Sequence, residues 1–414
     1  MEPWSTVRNI PIQYDYYMFY LITWLTDCAL FLFVFSGTRL LAETDASMTT
    51  QGVAGAVFFL ASGISNFCSG LLADTFDRRA TALWGMGCFL VSLASVAVFR
   101  PVGVDYIVAY IVVGLSVGQV YPPIMAWMWS EKSERAVDLS YVYFCIAFNC
   151  GILSGQVSGG WLFLSIGPRS PVLFASGLIL VAWIILWTIR NSPKKTVSIS
   201  DSDKGFVCLD ILAPVFTRLT WLANFAGMFS MGTLWFLLPE LVVALEIPSN
   251  THGQVLAAGR CLVVVTYVMM YLFPVWNYQY RYFVLTQAFG LAGLIGITQA
   301  QSPLQLFVSI AGLSIMQGFN YYSSLYYSRK SASADSKATA YGLNEGVLAL
   351  GAAGGSLFGG LSGTAWGSRT PFYIATVTML LVAAIQCVYF CIRIRPAFKK
   401  GISQASTNQR CDDS

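Results

Sequence analysis

Asp27, Arg260 and Glu345 are the residues of this 414-residue chain best placed to do chemistry, because each is ionisable and stands inside an otherwise apolar run. Asp27 lies in YLITWLTDCALFLFVF, Arg260 in VLAAGRCLVVV and Glu345 in YGLNEGVLAL. A charge at such a depth costs at least about 2.5 to 3.5 kcal/mol on insertion scales, so it faces a partner or a wet space. For the two acids the chemistry is proton binding: a carboxyl group out of water favours its neutral form, and one that alternates between wet and dry surroundings can load and unload a proton. The competing reading is a static structural pair, or an acid bonded to helix backbone. For Arg260 two readings stand side by side. Its fork of donors holds an anionic or carbonyl-bearing molecule, or it neutralises one of the acids.

Uncharged polar groups sit in the same kind of run: Gln119, Tyr121, Asn149, Gln156, Asn224, Gln317, Asn320, Tyr321 and Asn344. An unmet hydrogen bond is expensive there, so each is either a contact between helices or part of the lining of a shared pocket. Gln317 and Tyr321 stand one helical turn apart, where an amide and an aromatic face could grip a sugar or another polar organic solute. Tyr326 and Tyr327, with Trp127 and Trp129, read as an interfacial aromatic belt. His252 is the only histidine, and the ten cysteines form neither a C-x-x-C pair nor a Cys/His cluster, so no metal site, cofactor or structural disulfide is expected. No G-x-x-x-x-G-K-[ST] phosphate loop is present, which argues against an enzyme or pump driven by ATP.

The elements that must position these residues are membrane helices. Hydrophobic residues make up 56% of the chain and charged residues only 11%, against about 25% charged in soluble domains. Apolar runs of about 20 residues recur, each long enough to cross a hydrocarbon core of roughly 30 Å. They predict twelve helices near 17–38, 52–73, 80–99, 104–129, 139–164, 171–189, 219–239, 254–274, 283–301, 304–327, 338–364 and 371–392. The segment before them is polar and aromatic without a small-residue cleavage site, so the first helix is expected to stay as an anchor. Of 24 Lys and Arg residues, 19 fall in segments on the side of the termini, four (Arg39, Arg100, Arg169, Arg369) on the other side, and Arg260 within a helix. Positive residues are retained on the cytoplasmic face, so both termini are expected there. The net charge of +4 is then topology and not a nucleic-acid surface.

A polar stretch with NSPKK and SISDSDKG separates two sets of six predicted helices. This divides the chain into an N-terminal bundle (1–190), a cytoplasmic linker (191–214), a C-terminal bundle (215–395) and a polar cytoplasmic tail (396–414). Residues 200 apart match: Gly118 and Tyr121 with Gly318 and Tyr321; Gly151, Gly155, Gly159 and Gly160 with Gly351, Gly355, Gly359 and Gly360. The loop Gly167, Arg169, Pro171 recurs as Gly367, Arg369, Pro371. A constant offset across several helices and loops indicates duplication. Two parallel repeats related by an axis along the membrane normal place a binding site between the halves near the midplane.

The run Gly70-Leu71-Leu72-Ala73-Asp74-Thr75-Phe76-Asp77-Arg78-Arg79 resembles the G-x-L-a-D-r-x-G-r-[RK] motif of the major facilitator superfamily, with Thr75 for a basic residue and Asp77 for the second glycine. The resemblance implies an all-α membrane protein with twelve transmembrane helices in two six-helix pseudo-repeats. By the same resemblance, Gly70, Asp74, Arg78 and Arg79 form a conformational latch against the partner half; a plain loop with positive-inside charge is the alternative. Gly151-x-x-x-Gly155-Gln156-x-x-Gly159-Gly160 resembles the glycine motif of antiporter-type members with Gln156 in place of proline, although small residues four apart are equally explained by close helix packing. Gly114 stands where drug–proton exporters carry arginine. The Tyr/Ser-rich run 321–328 ahead of Glu345 resembles bacterial members, which implies a bacterial inner membrane. Family resemblance thus implies a monomeric secondary transporter in the lipid bilayer. It would move a small-molecule solute by alternating access, with the proton as candidate coupling ion. Symport against antiport stays open, and a non-transporting receptor or scaffold of the same fold is the alternative.

Overall fold

The computed structural model describes residues 14–75, 77–99, 101, 103–129, 134–189, 212–331 and 337–396. Residues 191–211 of the expected linker and 397–414 of the expected tail lie outside them. No water reaches the hydrocarbon interior, so apolar runs must close their backbone hydrogen bonds internally. Among the described residues they do so as helices joined by turns, without a strand. In chain order these are α1 (Tyr14–Glu43), α2 (Met48–Thr75), α3 (Arg78–Phe99), α4 in two segments (Asp105–Val117 and Tyr121–Trp129), α5 (Glu134–Ser165), α6 (Ser170–Thr188), α7 (Ala213–Ala244), α8 (Ser249–Leu272), α9 (Tyr280–Gln299), α10 (Pro303–Ser331), α11 (Lys337–Trp366) and α12 (Thr370–Tyr389). Eleven spans are long and apolar enough to cross a bilayer. The other, α10, has 29 residues, or about 43 Å at 1.5 Å each. It is less apolar because Asn320, Ser323, Ser324 and Ser328 turn inward, where all are buried.

The fourth predicted helix, 104–129, is broken at 118–120. Pro122 and Pro123 lack the N–H groups that would bond the carbonyls of Gly118 and Gln119 four residues back. Ser69 Oγ on α2 donates to the Gly118 carbonyl at 2.9 Å, and Ser65 Oγ donates to that of Leu115 at 2.6 Å. Gly118 lets the chains approach this closely, since a Cβ there would lie 2.6 Å from the Ser62 carbonyl oxygen. At the repeat-related place α10 reads Tyr321-Tyr322-Ser323, has no proline, and runs unbroken.

Packing repeats between the two sets of six helices. In the first, α1 packs on α5 and α6, α2 on α4, and α3 on α4 and α6; in the second, α7 packs on α11 and α12, α8 on α10, and α9 on α10 and α12. The glycine series explains the match. A Cβ on Gly151 would meet the Trp24 carbonyl oxygen at 2.6 Å, and one on Gly351 would meet that of Phe225 at 2.5 Å. Gly167 and Gly367 both adopt positive φ, 123° and 97°, which a side chain would resist, and the proline that follows each opens the next helix.

Across the halves the chief contacts are α2 on α11 and α5 on α8, a pair exchanged by the same pseudo-twofold relation. They are tightest at the end of the bundle away from the chain termini, called here the far end. There the Gly52 and Gly360 backbones nearly touch, Gly160 lies against Ser249, and Gly253 against Gln156. Thr364 Oγ1 accepts from Thr49 N at 2.8 Å and from Thr49 Oγ1 at 2.9 Å, and Gln51 Nε2 donates to Glu240 Oε2 at 2.8 Å. Below this layer the rings of Phe31, Phe58 and Phe59 from one half interleave with Trp235 and Phe236 from the other, at centroid distances of 5.4 to 6.2 Å. From the far end, hydrogen bonds between the two halves run down to the Asn149–Tyr267 pair at mid-depth.

Candidate functional site

Beneath the aromatic layer, polar side chains from α1, α4, α5, α8, α10 and α11 converge between the halves. Asp27 is fully buried on α1, and its Oδ2 accepts a 2.6 Å hydrogen bond from the Tyr121 hydroxyl. The break in α4 sets this up, since Tyr121 opens the second segment and its ring packs edge-on to Phe144 and Phe148 of α5. The other carboxyl oxygen, Oδ1, is buried and has no hydrogen-bond partner.

Asn149 on α5 ties the other half to this one. Its Nδ2 donates to the Cys145 carbonyl at 3.0 Å and to the Tyr267 hydroxyl at 3.5 Å, while its Oδ1 accepts from Arg260 Nη1 at 3.4 Å. The Arg260 guanidinium lies over the Trp235 ring, 5.0 Å from its centroid. Such a cation–π contact is worth about 2 kcal/mol or more when desolvated. Arg260 and Asp27 lie close enough to feel each other's charge, yet they form no ion pair. An ion pair does form between Arg39 and Glu43 at the far end, 2.6 Å. Arg260 thus acts on the Asp27 carboxyl across space and not through a contact.

Toward the end that carries the termini, Tyr321 sits with its ring 6.5 Å from that of Tyr267 and within electrostatic range of both Asp27 and Glu345. Glu345 is half-buried on α11, and its Oε1 accepts from the neighbouring Asn344 Nδ2 at 3.5 Å. Gln317 donates to the Met228 sulfur at 3.6 Å. Besides Asp27 Oδ1, the buried atoms without a hydrogen-bond partner include Arg260 Nη2, Trp235 Nε1, Gln317 Oε1 and Asn344 Oδ1, and on two further candidates Gln156 Oε1 and Asn224 Nδ2; others, such as those of His252, Gln51 and Gln287, lie away from this region. Leaving a buried polar atom unsatisfied costs about 1 to 3 kcal/mol. Asp27 Oδ1 and Arg260 Nη2 both belong to that set, so charged groups keep unused hydrogen-bonding capacity where the two halves face each other.

Two candidates lie elsewhere. Gln119 donates to the Leu115 carbonyl at 3.1 Å and lines a groove between α3, α4 and α6 with Trp84 and Trp183. Asn320 is fully buried within the second set of helices, where it donates to the Ala223 carbonyl at 3.1 Å and accepts from Gln287 at 3.5 Å. Trp235 and Tyr267, conversely, touch the site although nothing in their sequence surroundings marks them. Each is one aromatic in an apolar run, and only its place opposite the other half distinguishes it from a core residue.

In the motif at the α2–α3 turn, Asp77 takes the place of a glycine and acts as the N-cap of α3. Its Oδ2 accepts from Ala80 N at 3.1 Å. Arg79 Nη2 donates to the Trp187 carbonyl at 2.5 Å and so binds α3 to the end of α6 within its own half. Gly70 has open space around it, Arg78 is half-buried, and the side chain of Asp74 lies outside the described residues.

A Major Facilitator Superfamily profile matches residues 19–284 and again 220–409. The chain belongs to the major facilitator superfamily. Solved structures agree on the fold. A bacterial homologue of the human lysosomal transporter Spinster, inward-facing and unoccupied, superposes with a TM-score of 0.73 at 14% identity, over 94% of this chain and 98% of that one. The nucleoside transporter NupG gives 0.68 at 10% identity, with coverage of 91% and 99%. The POT family transporter PepTSo gives 0.68 at 12% identity, with coverage of 92% and 98%. No curated protein matches the chain in sequence. This superfamily member thus carries the fold of membrane transporters, and the convergent polar cluster lies where its two sets of helices face each other.

Proposed function

We propose that this superfamily member is a monomeric secondary transporter that moves a small organic solute through the site built on Asp27, Tyr121, Asn149, Arg260, Tyr321 and Glu345. Residues 1–190 and 215–395 act as two bundles that rock about this site, joined by the 191–214 linker and followed by the 396–414 tail. The excess of Lys and Arg at the terminal end supports placing both termini in the cytoplasm of a bacterial inner membrane. With that orientation, closure at the far end corresponds to a state open toward the cytoplasm. The observation that carries the reading is a pair of buried charged groups with unsatisfied atoms, Asp27 and Arg260, set beneath an interdigitated aromatic layer between the halves: a closed gate above a polar site.

Asp27 and Glu345 are the proton-binding candidates. Asp27 sits at mid-depth with one oxygen held by Tyr121 and the other free to carry a proton, and Glu345 lies nearer the cytoplasmic end. The latch role of Asp74 and Arg78 belongs to the same reading, with Arg79 and Asp77 fixing the turn that presents them. NupG is a nucleoside transporter by its description, and at 10% identity the shared fold leaves the solute to this chain's own side chains. Counterflow in proteoliposomes tests the proposal: labelled solute should exchange across the membrane in a saturable way, and D27N with E345Q should separate exchange from proton-driven accumulation. A reconstituted, folded chain that exchanges no member of a broad library of sugars, carboxylates, amino acids, nucleosides and peptides would refute it.

A further inference from the structure

Arg260 is 4% exposed, yet its guanidinium is only partly used. Nη1 makes one long hydrogen bond of 3.4 Å to Asn149, and Nη2 is buried without a partner. No carboxylate among the described residues lies within ion-pair distance of it. A buried cation that no carboxylate contacts is costly, and the cost is recovered when an anion arrives with good geometry. The orientation is fixed before any ligand comes. The Trp235 ring packs against the planar group, its centroid 5.0 Å away, and Asn149 holds one of its nitrogens from the opposite half. What is left unbonded is Nη2, on a planar fork whose shape matches a carboxylate.

Resting on the transporter reading above, we infer that the solute is an organic monocarboxylate whose carboxylate docks on the Nη2 edge of Arg260. The neighbouring aromatic faces of Tyr267 and Tyr321 receive its less polar remainder. Charge counting favours a single negative charge. With Asp27 and Glu345 carrying protons, as the proton-binding reading has it, Arg260 is the one charge of the site among the described residues, and a single carboxylate neutralises it whereas a dianion leaves a charge uncompensated. A cationic solute would have to approach Asp27 within the field of Arg260, and the Asp27 oxygen best able to hold it is already taken by Tyr121. Neutral amides and alcohols supply an acceptor but no charge, and leave Arg260 uncompensated.

The test uses the purified full-length protein and matched probe sets: benzoate, benzamide and benzylamine; lactate and lactamide; and straight-chain monocarboxylates from acetate to laurate. Binding to the folded state raises the midpoint of thermal unfolding. At least one carboxylate should stabilise the chain with an affinity at least about 30-fold above its amide, the scale of leaving a buried charge unpaired. R260Q should abolish that preference, R260K should retain part of it, and D27N should hold or raise carboxylate affinity. Equal stabilisation by amides or amines, stabilisation by no carboxylate, or a carboxylate preference that survives R260Q would overturn the inference. Should R260Q fail to fold, the matched pairs on the unaltered chain decide alone. Counterflow separates the two claims: exchange of neutral solutes only sinks the carboxylate assignment and leaves transport standing, whereas no exchange of any solute sinks both.

Discussion

Gly360 offers the sharpest handle on the gate. A methyl group there would lie 2.5 Å from the Met48 carbonyl oxygen, 2.7 Å from Gly52 Cα and 3.1 Å from Gly52 N. All three are backbone atoms, so no side chain can swing away. Ordinary carbon contacts need about 3.5 to 4.0 Å, which means α2 and α11 must part by roughly 1 Å at the far end. Overpacking of this kind costs about 1 to 3 kcal/mol. The cost falls on the state in which the far end is closed and is absent once the two helices separate there. G360A should therefore shift the equilibrium toward far-end opening by roughly 5- to 150-fold. A reporter cysteine at Met228, half-buried beside Gln317, measures this when the ten native cysteines are replaced. In the parent it should react with a membrane-impermeant maleimide applied from the terminal side. In G360A the rate from the far side should rise by the stated factor. Gly177, with open space around it, provides the control, and G177A should change nothing. Unchanged far-side labelling in a folded G360A protein would refute the idea that glycine contact holds this end shut.

Three further outcomes rest on single contacts. Tyr121→Phe and Asp27→Asn should be non-additive by about 1 to 3 kcal/mol in thermal stability, because the 2.6 Å bond joins them; additive effects would mean the bond contributes nothing. Asp77→Ala should lower stability by about 0.5 to 2 kcal/mol through loss of the α3 cap while Asp77→Asn is tolerated, and equal losses in both would point to charge and not to capping. Ser69→Ala should cost about 1 to 3 kcal/mol, because the Gly118 carbonyl loses the donor that replaces Pro122; calorimetry showing no loss while Pro122 is present would contradict that account of the α4 break.

Periodicity and charge made the spans legible. Twelve apolar runs became twelve spans because lipid leaves a long apolar segment no backbone solution but the helix. The repeat was also visible in the glycines, whose spacing records where helices cross. Gly151 and Gly351 touch equivalent carbonyls on α1 and α7, which supports packing as the reason for the series. The α4 break was less readable, because Pro122 and Pro123 are compatible with a kinked but continuous helix and only Ser69 from α2 shows how the freed carbonyl is satisfied. At the site, Asp27, Asn149, Arg260 and Glu345 stood out because charged and amide groups are rare in apolar runs. Which face a polar residue presents was not readable: Gln119 and Asn320 look like Asn149 in sequence, yet one turns to a side groove and the other bonds within its own bundle. Trp235 and Tyr267 were hidden by the converse problem, since aromatic residues in apolar helices are ordinary core until the opposing half is in place.

Alternating access between two halves closed at the far end is tested most directly by tethering that end. Thr49 and Thr364 meet across the halves with their hydroxyl oxygens 2.9 Å apart, so cysteines at both positions lie within disulfide reach. In a T49C/T364C chain free of other cysteines, oxidation should abolish counterflow and reduction should restore it, while each single variant is unaffected by oxidant. Full exchange by a quantitatively cross-linked protein would contradict the account.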